Sequence, residues 1–319
     1  MTPEYKRTSA LGLIGECSTH LRTMSDAQAV REMVAALTDR AWALQGDPRD
    51  RPYLTRTMSQ LAHVLRSHGW VEIACSTLEW TIEHGAQDGH VLSEVAECHL
   101  ARGDLKGAEA ILERARAAGV ATDAIYTSLV KAQGRSGQPE RARQMFERAK
   151  ADGAVTTFTY PALIAAYGAA GDVAGASRIF ESARADGQLS APAFTALASA
   201  LAGAGDMAAV ERLLQMARES GHMSARLAYA AIRGRLNNQQ FGAARRLLED
   251  AKREGMADVQ CYQAIIAACH RAGRHREAKR VYASAASDPL LPGEDLRRVK
   301  SAHGRRGAAP APAEAPRAA

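Results

Sequence analysis

Apolar residues at three-to-four spacing alternate with charged ones along most of the chain, and the whole pattern returns every 34 residues. Residues 157–190 show one period: Tyr160, Leu163, Ile164 and Tyr167 form one apolar stripe, and Val173, Ala176, Ile179, Phe180 and Ala183 form a second. Each stripe predicts an amphipathic helix, here called A and B. Between them stands Gly171-Asp172; glycine accepts a left-handed helix stop and aspartate caps the next N-terminus. Pro161 falls in the first turn of helix A, where its missing N–H costs nothing. The turn glycine recurs as Gly69, Gly103, Gly137, Gly171, Gly205 and Gly273, with Gln239 in the remaining slot. Five residues on stand Ala74, Ala108, Ala142, Ala176, Val210, Ala244 and Ala278, and nine on, Leu78, Leu112, Phe146, Phe180, Leu214, Leu248 and Tyr282. A second glycine ends helix B at Gly85, Gly119, Gly153, Gly187, Gly221 and Gly255.

This periodicity predicts hairpins over about 55–88, 89–122, 123–156, 157–190, 191–225, 226–258 and 259–288. The sixth is irregular: aromatic spacing is 35 from Phe194 to Tyr229 and 33 from Tyr229 to Tyr262, and LNNQQF replaces the glycine turn. Asn237 or Asn238 is expected to take the left-handed position there. Residues 9–42 read as an irregular first hairpin that caps the array, so that 1–54 is a cap and loop, 55–288 the array, and 289–319 a basic, Pro/Ala-rich disordered tail. The tail's LRRVKSAHGRRG stretch is compatible with a short helix. An array of helical hairpins places function on a long surface. Trp70, just after the first turn glycine, reads either as an exposed anchor or as packing between the cap and the first repeat, the simpler account.

Charge changes this picture little. The chain has 319 residues, 41 basic against 35 acidic, a net +6 that favours polyanions only weakly. Five cysteines form no CxxC pair and point to buried thiols in a reducing compartment. No stretch reaches the roughly 20 apolar residues of a membrane span. The N-terminus carries Glu4 and Glu16 and lacks a full signal core, so an intracellular location, cytoplasmic or organellar, is expected. The histidines form no HExxH or zinc-like spacing, and neither GxSxG nor a phosphate-binding loop is present. No enzymatic activity, cofactor, metal or small-molecule substrate is expected.

AYGAAGDVAGASRIFESARADG and MFERAKADG resemble the pentatricopeptide repeat (PPR), with tetratricopeptide-like solenoids as the near alternative. The resemblance covers about residues 55–288. It implies an all-α, right-handed α–α superhelix of about seven 34-residue hairpins plus the N-terminal capping hairpin. It also implies single-stranded RNA binding along a concave face of A helices, with an effect on RNA processing, stability or translation. The family reads bases with the residue after the helix A aromatic and the last residue of the repeat. In this chain the first set is Ser59, Ser93, Thr127, Pro161, Thr195, Ala230 and Gln263; the second falls near Thr156, Ser190, Ala225 and Asp258. Pro161 and Ala230 have no side-chain donor or acceptor, and only Asp258 has the family's usual type, so no target sequence is legible. Arg66, Arg102, Lys131, Arg135, Arg233, Arg235 and Arg271 in or near the A helices are candidate phosphate contacts. Helices at 160–170 and 194–204 carry no basic residue, and their small side chains suit a different occupant. A protein- or peptide-binding scaffold is therefore the alternative function.

Overall fold

A computed structural model describes residue 21 and residues 26–45, 51–85 and 88–304. Among the described residues there are 16 α-helices and no strand. They divide into two compact units, Met1–Thr159 and Tyr160–Ala319. The first holds α1 (Ala27–Gln45), α2 (Arg51–Ser67), α3 (Val71–Glu83), α4 (Gly89–Ala101), α5 (Leu105–Ala117), α6 (Asp123–Arg135) and α7 (Pro139–Ala151). The second holds α8 (Thr159–Ala169, its first residue at the unit boundary), α9 (Val173–Ala185), α10 (Ala191–Gly203), α11 (Met207–Glu219), α12 (Ala225–Asn237), α13 (Phe241–Arg253), α14 (Val259–Arg271), α15 (His275–Ala286) and α16 (Gly293–Gly304). From α2 onward even-numbered helices are A helices and odd-numbered ones B helices. Where pairs pack within a unit, an A helix meets its own B helix and the A helix of the next hairpin, as α12 meets α13 and α14. This is an α-solenoid of helical hairpins.

The turn chemistry works as the residues dictate. Gly171 takes φ +80, which lets the Asp172 N–H reach the Tyr167 carbonyl at 3.0 Å and close helix α8. The Asp172 carboxylate then accepts the Gly175 N–H at 2.7 Å and opens α9. In the sixth hairpin it is Gln239, at φ 57, that adopts the left-handed turn, not either asparagine. A side chain with a Cβ in this region costs about 1 kcal/mol or more.

Small residues bring the helices together. On the B helices, Ala108, Leu112 and Ala115, then Ala142, Phe146 and Ala149, then Ala176, Phe180 and Ala183, are all buried. Gly234 on α12 lies so close to α10 that a Cβ would come within 2.6 Å of the Ala202 Cβ, so this contact requires glycine.

The structure revises three expectations. Helices begin at Ala191, Ala225 and Val259, so the 34-residue period continues unbroken and the hairpins run 191–224 and 225–258. Ala228, 5% exposed, fills the core slot held by Tyr126, Tyr160, Phe194 and Tyr262, and Tyr229 is the next residue outward. Aligning on the aromatic produced the apparent 35/33 spacing. At the C-terminus, α16 begins 34 residues after α14 and packs on α14 and α15 with Val299 buried, so residues 293–304 are a capping half-repeat within the segment expected to be disordered. Residues 305–319 lie outside the described residues. At the N-terminus, α1 packs on α2 and α3 through Val30, Val34 and Leu37, with Trp42, Trp70 and Trp80 packed against that core. Trp70 thus joins cap to repeat; the part of the expected cap hairpin before residue 26 is, apart from buried Leu21, outside the described residues.

Candidate nucleic-acid interface

The position one residue past the core slot of the A helices α4 to α14 is occupied by Ser93, Thr127, Pro161, Thr195, Tyr229 and Gln263, each 34 residues from the next; Thr127 and Pro161 are buried and the others partly exposed. Most polar members are engaged within the chain. Ser59, the corresponding residue of α2, is buried, with its hydroxyl unpartnered. The Ser93 hydroxyl reaches the Gly89 carbonyl at 2.6 Å and the Thr122 hydroxyl at 2.8 Å. Thr127 is buried 3.2 Å from the Thr159 hydroxyl. Thr195 donates to the Ala191 carbonyl at 2.9 Å, and Gln263 to the Arg298 carbonyl of α16 at 3.1 Å. Asp258 is the N-cap of α14, its carboxylate accepting the Cys261 N–H at 2.9 Å. The true last residue of the hairpin carrying Thr195 is Ser224, not Ala225, and its hydroxyl caps α12 by accepting the Leu227 N–H at 3.2 Å.

The basic candidates separate into two groups. Arg66 bridges Glu94 at 3.2 Å and Glu97 at 3.3 Å; Arg102 donates to Glu72 at 2.8 Å; Arg235 pairs with Glu211 and donates to Gln240 at 2.7 Å. These cations are largely neutralised by their own neighbours. Lys131 and Arg135 on α6 and Arg271 on α14 are exposed and make no ion pair among the described residues. Arg226 and Arg233 on α12 are likewise exposed, and the Arg233 guanidinium lies 5.6 Å from the Tyr229 ring centroid.

Tyr229 separates two clefts. One, of about 520 Å³, lies between α10 and α12 and is lined by Thr195, Ser199, Arg226, Tyr229, Asn237 and Gln260 among others. The other, about 410 Å³ between α12 and α14, is lined by Tyr229, Arg233, Asn237 and Arg271 with Ala264 and Ala267. No carboxylate lines either cleft. Reading the sequence by its aromatics assigned Tyr229 to the core and passed over Arg226; counting 34 residues from Thr195 places Tyr229 outward and Arg226 one turn before it. Among the described residues no cluster of histidine, cysteine, aspartate or glutamate is placed to hold a metal. Nor is any described helix long and apolar enough to cross a membrane. Cys75, Cys98, Cys261 and Cys269 are buried free thiols; burial pushes the Cys261 thiol up to about 12, keeping it protonated.

Comparison with known proteins agrees with this architecture. Residues 124–153, which span α6 and α7, match the PPR repeat family. The structure of the pentatricopeptide repeat protein PPR10 in complex with an 18-nt psaJ RNA element is similar at TM-score 0.61 and 16% identity, over 93% of this chain and 44% of that one. A cysteine-to-serine variant of PPR10 with the same RNA element gives the same four figures. PPR10 from maize is 20% identical over 95% of this chain and 41% of that one, with a TM-score of 0.48. The chain thus spans less than half the length of the PPR10 structures it matches. No curated protein sequence matches it. The chain is an α-solenoid of helical hairpins, of which residues 124–153 match the PPR repeat.

Proposed function

We propose that this solenoid binds single-stranded RNA on the A-helix face of its second unit. One observation carries the reading: α8, α10, α12 and α14 contain no aspartate or glutamate, while α12 and α14 supply Arg226, Arg233 and Arg271 to the exposed face. Carboxylates in this unit lie on the B helices, at the turns and in α16. The B helices carry still more basic residues but interleave them with those carboxylates, whereas the A helices α12 and α14 present arginine with no carboxylate on the same helix, which favours a polyanion on that face. The PPR match and the fold shared with RNA-bound PPR10 support a nucleic-acid ligand of this kind. Arginines facing one side of such a groove would hold phosphates and position the strand without specifying its sequence.

The small, uncharged side chains of α10 favour the second reading, a peptide cradle: Ser199 and Gly203 are exposed and leave room beside Thr195. Titration with a randomised single-stranded RNA pool and matched DNA, at low and near-physiological salt, separates the two. RNA binding that exceeds DNA binding and survives the higher salt supports the proposal. Weak binding that disappears equally for both polymers is generic charge attraction and would transfer the face to a polypeptide partner.

A further inference from the structure

We infer that Tyr229, with Arg226, Arg233 and Arg271 around it, is a stacking site for one unpaired nucleobase, which it holds largely irrespective of base identity. The inference rests on the RNA reading above and adds the residue that dominates affinity.

Among the described A helices Tyr229 is the only aromatic one residue past the core slot, where Ser93, Thr127, Pro161, Thr195 and Gln263 stand in other hairpins. It does not fill the central core slot, which Ala228 takes in place of the tyrosine or phenylalanine found elsewhere; Tyr229 packs only at the edge of the core. Its hydroxyl is also differently placed. Tyr126, Tyr160 and Tyr262 each donate to an aspartate of their own hairpin, and each is buried. Tyr229 is partly buried at the edge of the core, and the Arg233 guanidinium lies over its ring.

A partly exposed ring that borders two clefts offers a π-face to a planar ligand. Volumes of about 410 and 520 Å³ fall in the range of small-ligand sites, about 300–1,000 Å³. The cations fit the rest of a nucleotide: Arg226 borders one cleft, Arg271 the other, and Arg233 both. Every base has a π-face, so stacking here gives affinity without sequence preference. The acidic residue that closes this hairpin, Asp258, has one carboxylate oxygen committed to capping α14, which limits its use in reading a base edge.

The test uses the full chain and oligouridylates in which a single 2-aminopurine is placed at each position in turn. Fluorescence reports stacking, and titration reports affinity. For the wild type, one position should be quenched most, and exchanging the base there among A, C, G and U should change affinity only a few-fold, whereas removing the base should not be tolerated. Tyr229→Leu should weaken binding about 5- to 100-fold and abolish that quench, as loss of a base–aromatic stack does. Tyr229→Phe should retain both, and unchanged melting of the two variants would show that both remain folded. Wild-type affinity in Tyr229→Leu would overturn the stacking site and leave RNA binding standing. A Tyr229→Phe variant as weak as Tyr229→Leu would also overturn it, by assigning the effect to the hydroxyl. A wild type that binds no oligouridylate and no random RNA would overturn both proposals.

Discussion

The Tyr262 hydroxyl donates to the Asp288 carboxylate at 2.5 Å, joining helix A of the last full hairpin to the end of its helix B. Tyr126–Asp152 and Tyr160–Asp186 make the same contact at the same 26-residue separation. Where helix A lacks a tyrosine in this slot, the partner changes too: Phe194 faces a position occupied by Ser220, and Ala228 one occupied by Glu254, which pairs instead with Arg218 at 2.8 Å. The phenol and the aspartate are thus kept or lost together, the carboxylate that remains at Glu254 having another partner. At the buried Asp288 a carboxylate left without its donor costs free energy. Asp288 is only 7% exposed.

Tyr262→Phe is therefore expected to destabilise the protein by about 1–3 kcal/mol, the worth of a hydrogen bond to a charged group. Adding Asp288→Ser, which reproduces the Phe194/Ser220 arrangement, should restore part of that loss. Denaturant melts of the two single variants and the double variant form the necessary cycle. Strict additivity would show that the hydroxyl and carboxylate do not couple.

Gln239 sits in the left-handed region where the other described hairpin turns of this type use glycine. Gln239→Gly removes strain of about 1–2 kcal/mol but gives the unfolded chain extra freedom worth about 0.5–1 kcal/mol. The expected net gain is about 0.5 kcal/mol, visible as a higher denaturation midpoint. A lower midpoint would mean that the glutamine side chain holds this turn.

The first unit should weaken in acid. Arg116, then Tyr126, hold the Asp152 carboxyl below its usual range, and Arg148 does the same for Glu113. With the folded pKa depressed, the unfolded chain takes up protons first. The stabilisation is then complete above a pH of about 4 and is lost as pH falls through the folded value. At the other end, burial and then Asp152 push the Tyr126 phenol from 10.0 to about 12. That contribution is complete below pH 10 and lost as pH rises towards 12. Thermal melts of wild type and Asp152→Asn across both limbs check this. The variant should show a shallower acid loss, and identical acid limbs would contradict it.

The fold was legible because a 34-residue repeat writes every hairpin several times: Gly171, Ala176 and Phe180 have counterparts whose spacing alone locates turn, close approach and core. The interface was less so. Tyr229 is chemically a core aromatic, and only the unbroken start of α12 at Ala225 shows that Ala228 has taken the core slot. Arg66, Arg102 and Arg235 looked like a phosphate track because their partners, Glu94, Glu72 and Glu211, lie 24 to 30 residues away in sequence and meet them only in the fold. Val299 was obscured by the basic, proline- and alanine-rich composition around it. Its membership of an eighth A helix follows from the same 34-residue count.

The most direct measurement of the central claim is photochemical cross-linking of the full chain to random single-stranded RNA containing 4-thiouridine, with adducts located by mass spectrometry. The account predicts adducts concentrated in α10, α12 and α14, foremost around Tyr229 and the flanking Arg226 and Arg233. Adducts confined to the B helices, or spread over both helix faces without preference, would contradict an RNA groove on the A-helix face.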